Sequence, residues 1–377
     1  MEPVETALLT FETALPGLNP AKPLRDGLSV VVQSGPTLWV ANDETISVER
    51  LSFQGRDQAG TYHYGAHRTF PLTDYLSLPI PSAGEVEEVD VEGLAIQDGY
   101  LWVVGSHSLK RKKVKPGESI RKNFKRLADA DENQQGNRYL LARIPLVSEG
   151  ESDTLAKQAV AEDGQLRTAA QLPATAENNL LTRALRRDEH LRNFLTIPGK
   201  DNGFDIEGLS VAGNRVFLGL RGPVLRGWAV VLEIEVENAD PTTLRLKAIN
   251  PDNPHNPDHP TYRKHVLQLD GLGIRDLTVQ GADLLILAGP TMDLDGPVTL
   301  YRWPGGAQPP GESLVFREQL VALRAVPFGQ GDDHAEGMTL FQPGEPAAPS
   351  VLVVYDATAA GRKVGERGVK ADIFPLS

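Results

Sequence analysis

The apolar residues of this chain fall in short runs bounded by turn residues, a pattern of strands rather than of long amphipathic helices. The runs read Leu38-Trp39-Val40-Ala41, Leu101-Trp102-Val103-Val104, Val216-Phe217-Leu218-Gly219, Leu285-Ile286-Leu287-Ala288 and Leu352-Val353-Val354-Tyr355. Ahead of each, across a turn such as Gln97-Asp98-Gly99 or Ala212-Gly213-Asn214, stands a recurring phrase: a charged residue, Gly or Asp, then an apolar strand. Its copies are Asp26-Gly27-Leu28-Ser29-Val30, Glu92-Gly93-Leu94-Ala95-Ile96, Glu207-Gly208-Leu209-Ser210-Val211, Arg275-Asp276-Leu277-Thr278-Val279 and Glu336-Gly337-Met338-Thr339-Leu340.

The first apolar residue of the phrase recurs at 28, 94, 209, 277 and 338. Three of the four steps are about 65 residues, enough for a four-stranded propeller blade with long loops, and the step from Leu94 to Leu209 is about 50 longer. The expected fold is all-β: a single β-propeller over 1–377, of five blades of four antiparallel strands. Six blades is the alternative, because the long step has room for a degenerate one; two unrelated β-domains with chance similarity is another. The extra length, in the second repeat, reads as an insertion: 110–200 holds a basic loop and a stretch, 177–194, where Leu180, Leu181, Leu185 and Leu191 follow helical spacing. Outer strands are expected at 139–145, 229–236 and 298–303, and residues 8–11 are expected to pair with the last blade and close the ring.

Composition supports a folded, turn-rich chain: 377 residues, 40% hydrophobic, 23% charged, with 36 Gly and 28 Pro. The net charge of -12 argues against a general nucleic-acid or anionic-membrane surface, leaving local basic patches open. With no cysteine, a disulfide framework, a thiolate zinc site and a cysteine nucleophile are excluded. The start of the chain lacks the basic and apolar pattern of a secretory signal, and no run of about 18 apolar residues occurs, so a cytoplasmic location is expected.

In a propeller, equivalent positions of the inner strands form a ring at one depth. The charged position of the phrase gathers Asp26, Glu92, Glu207, Arg275 and Glu336. The far ends of the antiparallel second strands return to the same face, adding Asn42, Asp43, Ser106, His107, Arg221, Thr291 and Asp356, with His334, Asp90 and Asp205 close in sequence to the phrases. Crowded carboxylates take up protons, pair with arginines or bind a cation. Asp26, Glu92, Glu207 and Glu336 are therefore the candidate ligands of a hard ion, Ca²⁺ or else Mg²⁺, with no organic cofactor evident. The competing expectation is structural: each acid caps blade loops and each following Gly supplies a conformation other residues resist. Arg221, Arg275, His107, His334 and Glu336 are the candidates for anion binding and proton transfer, His334 being best placed for acid–base work though more often structural.

Residues 110–126 hold nine basic side chains in an acidic protein, a segment expected to be a solvated loop near the carboxylate face, paired with Asp129, Asp131 and Glu132, the alternative being a cover over the channel or a phosphate contact. His255, His259 and His265, in and just beyond the Pro- and Asn-rich stretch 250–262, match no helical zinc spacing and read as a long blade loop. No phosphate-cradling Gly loop, Gly-x-Ser-x-Gly elbow or His-Glu-x-x-His pair occurs.

Four motifs, Gly105-Ser106-His107-Ser108, Gly219-Leu220-Arg221-Gly222-Pro223-Val224-Leu225-Arg226-Gly227, Leu272-Gly273-Ile274-Arg275-Asp276-Leu277 and His334-Ala335-Glu336-Gly337-Met338, together resemble the bacterial family known as domain of unknown function 3616. The resemblance runs over about 26–374 and implies a propeller-like fold with no established activity. The Glu-Gly-Leu phrase alone is similar to esterase-like phytases and calcium-dependent apyrases, which transfers no catalytic residue. Two functions are carried forward. One is a propeller binding a ligand, Ca²⁺ or a protein partner at its acidic channel. The other is a metal-dependent hydrolase of phosphate esters, anhydrides or other anionic esters, with a small anionic ligand held by Arg221 and Arg275 and protons moved by His334 or Glu336.

Overall fold

The computed structural model describes residues 5–13, 23–80, 88–128, 130–131, 136–150, 152–250, 260–342 and 349–376. The protein is mostly β and propeller-like. Each recurring phrase belongs to an inner strand, Leu28–Ser34, Val91–Gln97, Asp205–Ala212, Gly273–Gln280 or His334–Phe341. Each inner strand pairs antiparallel with a second: Thr37–Asn42, Tyr100–Gly105, Arg215–Gly222, Asp283–Gly289 and Ser350–Asp356. The two-residue turns picked out by sequence need glycine at Gly99 (φ 71) and Gly213 (φ 60), where a side chain would strain the left-handed backbone.

Third strands follow at Ser47–Arg56, Leu141–Glu149, Ala229–Asp240, Val298–Trp303 and Gly368–Pro375. Fourth strands are Tyr62–Pro71, the short Ala170–Gln171, Tyr262–Leu267 and Val321–Val326, and the fifth group takes Glu5–Thr10 from the chain start, antiparallel to Gly368–Pro375. Residues Ala7–Leu9 also run parallel to Tyr62–Tyr64, which joins the first and last groups into one path. The expected outer strands at 139–145, 229–236 and 298–303 each overlap a third strand.

The inner strands pack in a cycle: each lies against the next in sequence, and His334–Phe341 lies back against Leu28–Ser34. The core repeats that cycle. Trp39, Val48 and Phe70 of the first group pack with Val91, Leu101 and Val103 of the second, and four further apolar clusters join second to third, third to fourth, fourth to fifth and fifth to first.

Four expectations change. The phrase in the first repeat is out of register. Every inner strand carries a one-residue bulge, and the bulged residue is Glu92, Glu207, Arg275 or Glu336 in four groups but Ser29 in the first. Asp26, at the end of a 3-10 turn, is therefore not equivalent to Glu92. The helix expected over 177–194 is Leu180–Leu185 with a separate 3-10 turn at Arg192–Phe194. It stops because the Asp188 carboxylate accepts the amides of His190 (2.9 Å) and Leu191 (3.0 Å), forming a turn instead. The basic segment, expected as a loop, contains the helix Ile120–Ala128. His265 lies in a strand, with Nε2 2.9 Å from a buried Glu233 carboxylate oxygen, and His255 and His259 lie outside the described residues.

Candidate functional site

The bulges explain why charged side chains gather at one end of the inner-strand cycle: each extra residue leaves the ladder and is re-aimed. The Gly after the bulge serves close packing rather than a positive φ, which corrects the expectation of a special conformation. A Cβ on Gly93 would stand 2.5 Å from Leu209 Cβ of the next inner strand, and one on Gly337 would stand 2.6 Å from Val30 Cα. In the fourth group Asp276 takes the Gly position and bridges strands: its Oδ1 accepts the Leu277 amide (2.7 Å) and its Oδ2 the Met338 amide of the next inner strand (2.7 Å). Burial nevertheless holds the Asp276 pKa well above the usual carboxylate range.

Glu207, Arg275 and Glu336 form a chain. Arg275 Nε faces Glu207 Oε2 at 3.1 Å, and its Nη2 pairs with Glu336 Oε1. Arg221, from the end of a second strand, places Nη1 2.6 Å from Glu207 Oε1 and Nη2 2.6 Å from Asp205 Oδ2. Burial works against both guanidinium charges, yet the surrounding carboxylates outweigh it and raise both arginine pKa values. Asp205 is pushed up to about 6, chiefly by burial against the pull of Arg221. On the adjoining side Arg138 Nη1 lies 2.6 Å from Asp90 Oδ2, and although burial opposes it, Arg138 keeps the Asp90 pKa below its ordinary value.

Three carboxylates at this end have no hydrogen-bond or ion-pair partner among the described residues: Asp43, Glu92 and Asp356. A Cβ added to Gly27 would lie 3.3 Å from Asp356 Oδ1 and 3.5 Å from Asp43 Oδ1, so these oxygens flank one small space. Burial, then repulsion from Asp90 and Asp356, pushes Asp43 up to about 8. Burial, then Asp90, Glu207, Glu336 and Asp43, holds Glu92 well above its ordinary value. Glu336 is likewise raised by burial in spite of Arg275. Lys200 adds an ammonium whose pKa, lowered by burial and Arg221, is raised overall by Glu336, Asp293 and Glu207.

Not every candidate reaches this cluster. Asp26 Oδ1 pairs with Lys363 Nζ at 2.8 Å. His107 is buried with Nδ1 2.7 Å from the Gly105 carbonyl and Nε2 2.6 Å from the Asn179 amide, and burial lowers its pKa to about 4, so the ring is neutral and engaged at both nitrogens. His334 Nε2 lies 3.1 Å from Asp295 Oδ1. Thr291 donates to Asn202 Oδ1 (2.9 Å). Among the described residues no three His, Asp or Glu side chains stand together in an arrangement that could hold a metal ion. Sequence reasoning did not single out Arg138 or Lys200, which lie outside the repeat.

The inner-strand cycle with charged bulges at one end defines a propeller-like β-protein with an acidic mouth. The chain belongs to the family described as protein of unknown function (DUF3616), whose model matches residues 27–372. No curated protein matches it. Among solved structures it is similar to a pyrroloquinoline-quinone-bound aldose sugar dehydrogenase from Streptomyces coelicolor (8% identity, 99% of this chain and 100% of that one, TM-score 0.31). It is also similar to a putative oxidoreductase (glucose dehydrogenase) from Thermus thermophilus (14%, 98% and 100%, 0.31) and to the WD40 β-propeller domain of Doa1 (10%, 94% and 95%, 0.31). Likeness at this level transfers no cofactor or activity. No helix among the described residues is long and apolar enough to cross a membrane.

Proposed function

We propose that the five strand groups are the blades of a five-bladed propeller and that its acidic mouth is a binding site for a cation. The observation that carries this reading is the contrast among the carboxylates: Asp205, Glu207, Glu336 and Asp90 are matched to arginines, whereas Asp43, Glu92 and Asp356 are not. Burial and neighbouring carboxylates push Asp43 up to about 8 and raise Glu92 in the same direction, and a cation that binds there offsets the repulsion among these acids and displaces protons. Ca²⁺ bound through water, or an ammonium or guanidinium group of a small molecule or protein partner, fits that charge. Arg221 and Arg275 are each engaged by two carboxylates, which favours a cation over an anionic ester at this mouth.

The test is calorimetric titration of chelator-treated protein with Ca²⁺, Mg²⁺, putrescine and arginine amide, in two buffers of different ionisation enthalpy. Saturable binding with proton release, tightening from pH 6 to 8 and weakened at least tenfold by Glu92→Gln or Asp43→Asn, is expected for one of the four. Absence of saturable heat with all four would sink the proposal.

A further inference from the structure

The segment 110–128 carries nine basic residues against one acid, Glu118. Its helix, Ile120–Ala128, has no buried residue. Ile120, Phe124 and Leu127 recur at the i, i+4, i+7 spacing that places them on one face, and they are 77%, 69% and 50% exposed. Val114, 48% exposed, lies just before the helix. Of the thirteen exposed large apolar residues among the described residues, these four fall within fourteen positions, so the exposure is concentrated and not the scatter of an ordinary surface.

The charges are only partly spent within the protein. Lys122 Nζ and Arg126 Nη2 pair with Glu118, and Arg111 Nε pairs with Asp201 Oδ2 at 2.6 Å. The side chains of Lys113, Lys115, Arg121 and Lys125 have no partner among the described residues. One contact links the segment to the charged cluster, Lys110 pairing with Glu88, whose other partner is Arg138, and within the segment the Arg111 guanidinium donates to the Leu127 carbonyl at the end of the helix. The helix is thus a charged, apolar-faced element held at a defined edge of the fold.

We propose that this helix docks on an anionic lipid surface, with Ile120, Phe124 and Leu127 entering the headgroup boundary and Lys113, Lys115, Arg121 and Lys125 meeting lipid phosphate and carboxylate groups. Helices with a strongly basic face, an apolar stripe and low mean hydropathy lie in such an interface. A nucleic acid would use the cations but leave the apolar stripe in water, which is why lipid is the better match. The acid excess over the rest of a chain of net charge -12 repels the same surface, so this edge alone makes contact and the mouth is set beside the membrane.

Sedimentation with large vesicles of phosphatidylcholine alone, or with about a third phosphatidylserine, tests this on the full chain, a polybasic contact being salt-sensitive. Binding is expected only to the anionic vesicles and is expected to fall at least tenfold between low and high salt. Ile120→Asp with Phe124→Asp, or the four free cations changed to Gln, each lowers it at least tenfold while the melting temperature stays put, since none of these side chains is buried. Phe124→Trp gives a second readout, a blue shift of emission on adding anionic vesicles. The proposal is overturned if the wild type ignores anionic vesicles, or if the Asp pair leaves binding intact. Retention of duplex DNA by the Asp pair, without vesicle binding by the wild type, would assign the segment to a phosphate polymer instead.

Discussion

Gly93 is excluded from carrying a side chain by its neighbours, since a Cβ would meet Leu209 Cβ at 2.5 Å and Val104 Cγ1 at 2.6 Å. Gly93→Ala is expected to cost about 1–3 kcal/mol in denaturant unfolding, the usual penalty of overpacking; a change within 0.5 kcal/mol would mean the inner strands can separate. The same packing made the site partly legible, because a charged bulge followed by Gly is a visible pair. In the first group Ser29-Val30 shows neither feature, so the upstream Asp26-Gly27-Leu28 imitates the phrase although Asp26 faces Lys363. Ser29 instead donates to the Val91 carbonyl of the next inner strand (2.7 Å). The isolation of Asp43 was not legible at all, since it depends on where every arginine ends up. Its pKa, about 8 against an ordinary 3.8, means that the folded state keeps a proton the unfolded state has released. That contribution to stability is full below about pH 4 and is lost as pH rises through 8. Asp43→Asn is therefore expected to stabilise the protein at pH 8, in the absence of added cations, by at least about 1.4 kcal/mol relative to its effect at pH 4, the equivalent of one pKa unit. Melting curves at the two pH values check this, and a pH-independent difference would mean Asp43 has a partner.

At the scale of elements, Asn179 joins the helix of the insertion between the second and third groups to the second group. Asn179 Oδ1 accepts the Thr182 amide (2.9 Å) and so caps Leu180–Leu185, while its Nδ2 donates to the Tyr139 carbonyl (2.9 Å) and to His107 Nε2 (2.6 Å). The motif Gly105-Ser106-His107-Ser108 is thus a clasp. Its serines accept from Arg138 at 3.3 and 3.1 Å, and the Ser106 carbonyl accepts the Ile206 amide of the next inner strand (2.8 Å). Losing the cap costs about 1–2 kcal/mol, and leaving buried acceptors unsatisfied adds to it. Asn179→Ala is expected to destabilise by about 2–4 kcal/mol in total and to speed amide exchange in the helix first. Equal exchange in helix and strands would show the insertion has no separate anchor. Leucine spacing pointed to a helical element here, but not to its length, because the Asp188 carboxylate that forms the terminating turn is held by Tyr262 and Lys264, which arrive from far along the chain.

For the whole molecule, the question is whether the cycle of inner strands is held shut by the chain's own ends. The repeat was readable because a cycle imposes the same demand on every copy; the closing strand lies outside the repeat and was legible only as apolar residues near the start. Glu5–Thr10 completes the fifth group and also runs beside Tyr62–Tyr64 of the first, so Ala7, Leu9 and Phe11 are buried in the cluster shared by both. All four family motifs supply contacts between strands, through Ser106 with Ile206, Arg221 with Glu207, Arg275 with Glu336, and Asp276 with Met338. A strand that closes a cycle differs from an appended edge in one measurable respect: weakening it must lower the stability of distant groups as well as its own. Leu9→Ala, a fully buried deletion, is expected to cost about 2–5 kcal/mol of global stability. Amide exchange should then accelerate in Gly368–Pro375, in Tyr62–Pro71 and in the inner strands Val91–Gln97 and Asp205–Ala212 together. Acceleration confined to Glu5–Thr10 and Gly368–Pro375, with unchanged global unfolding, would instead make the strand a local cover over a cycle that the inner strands close by themselves.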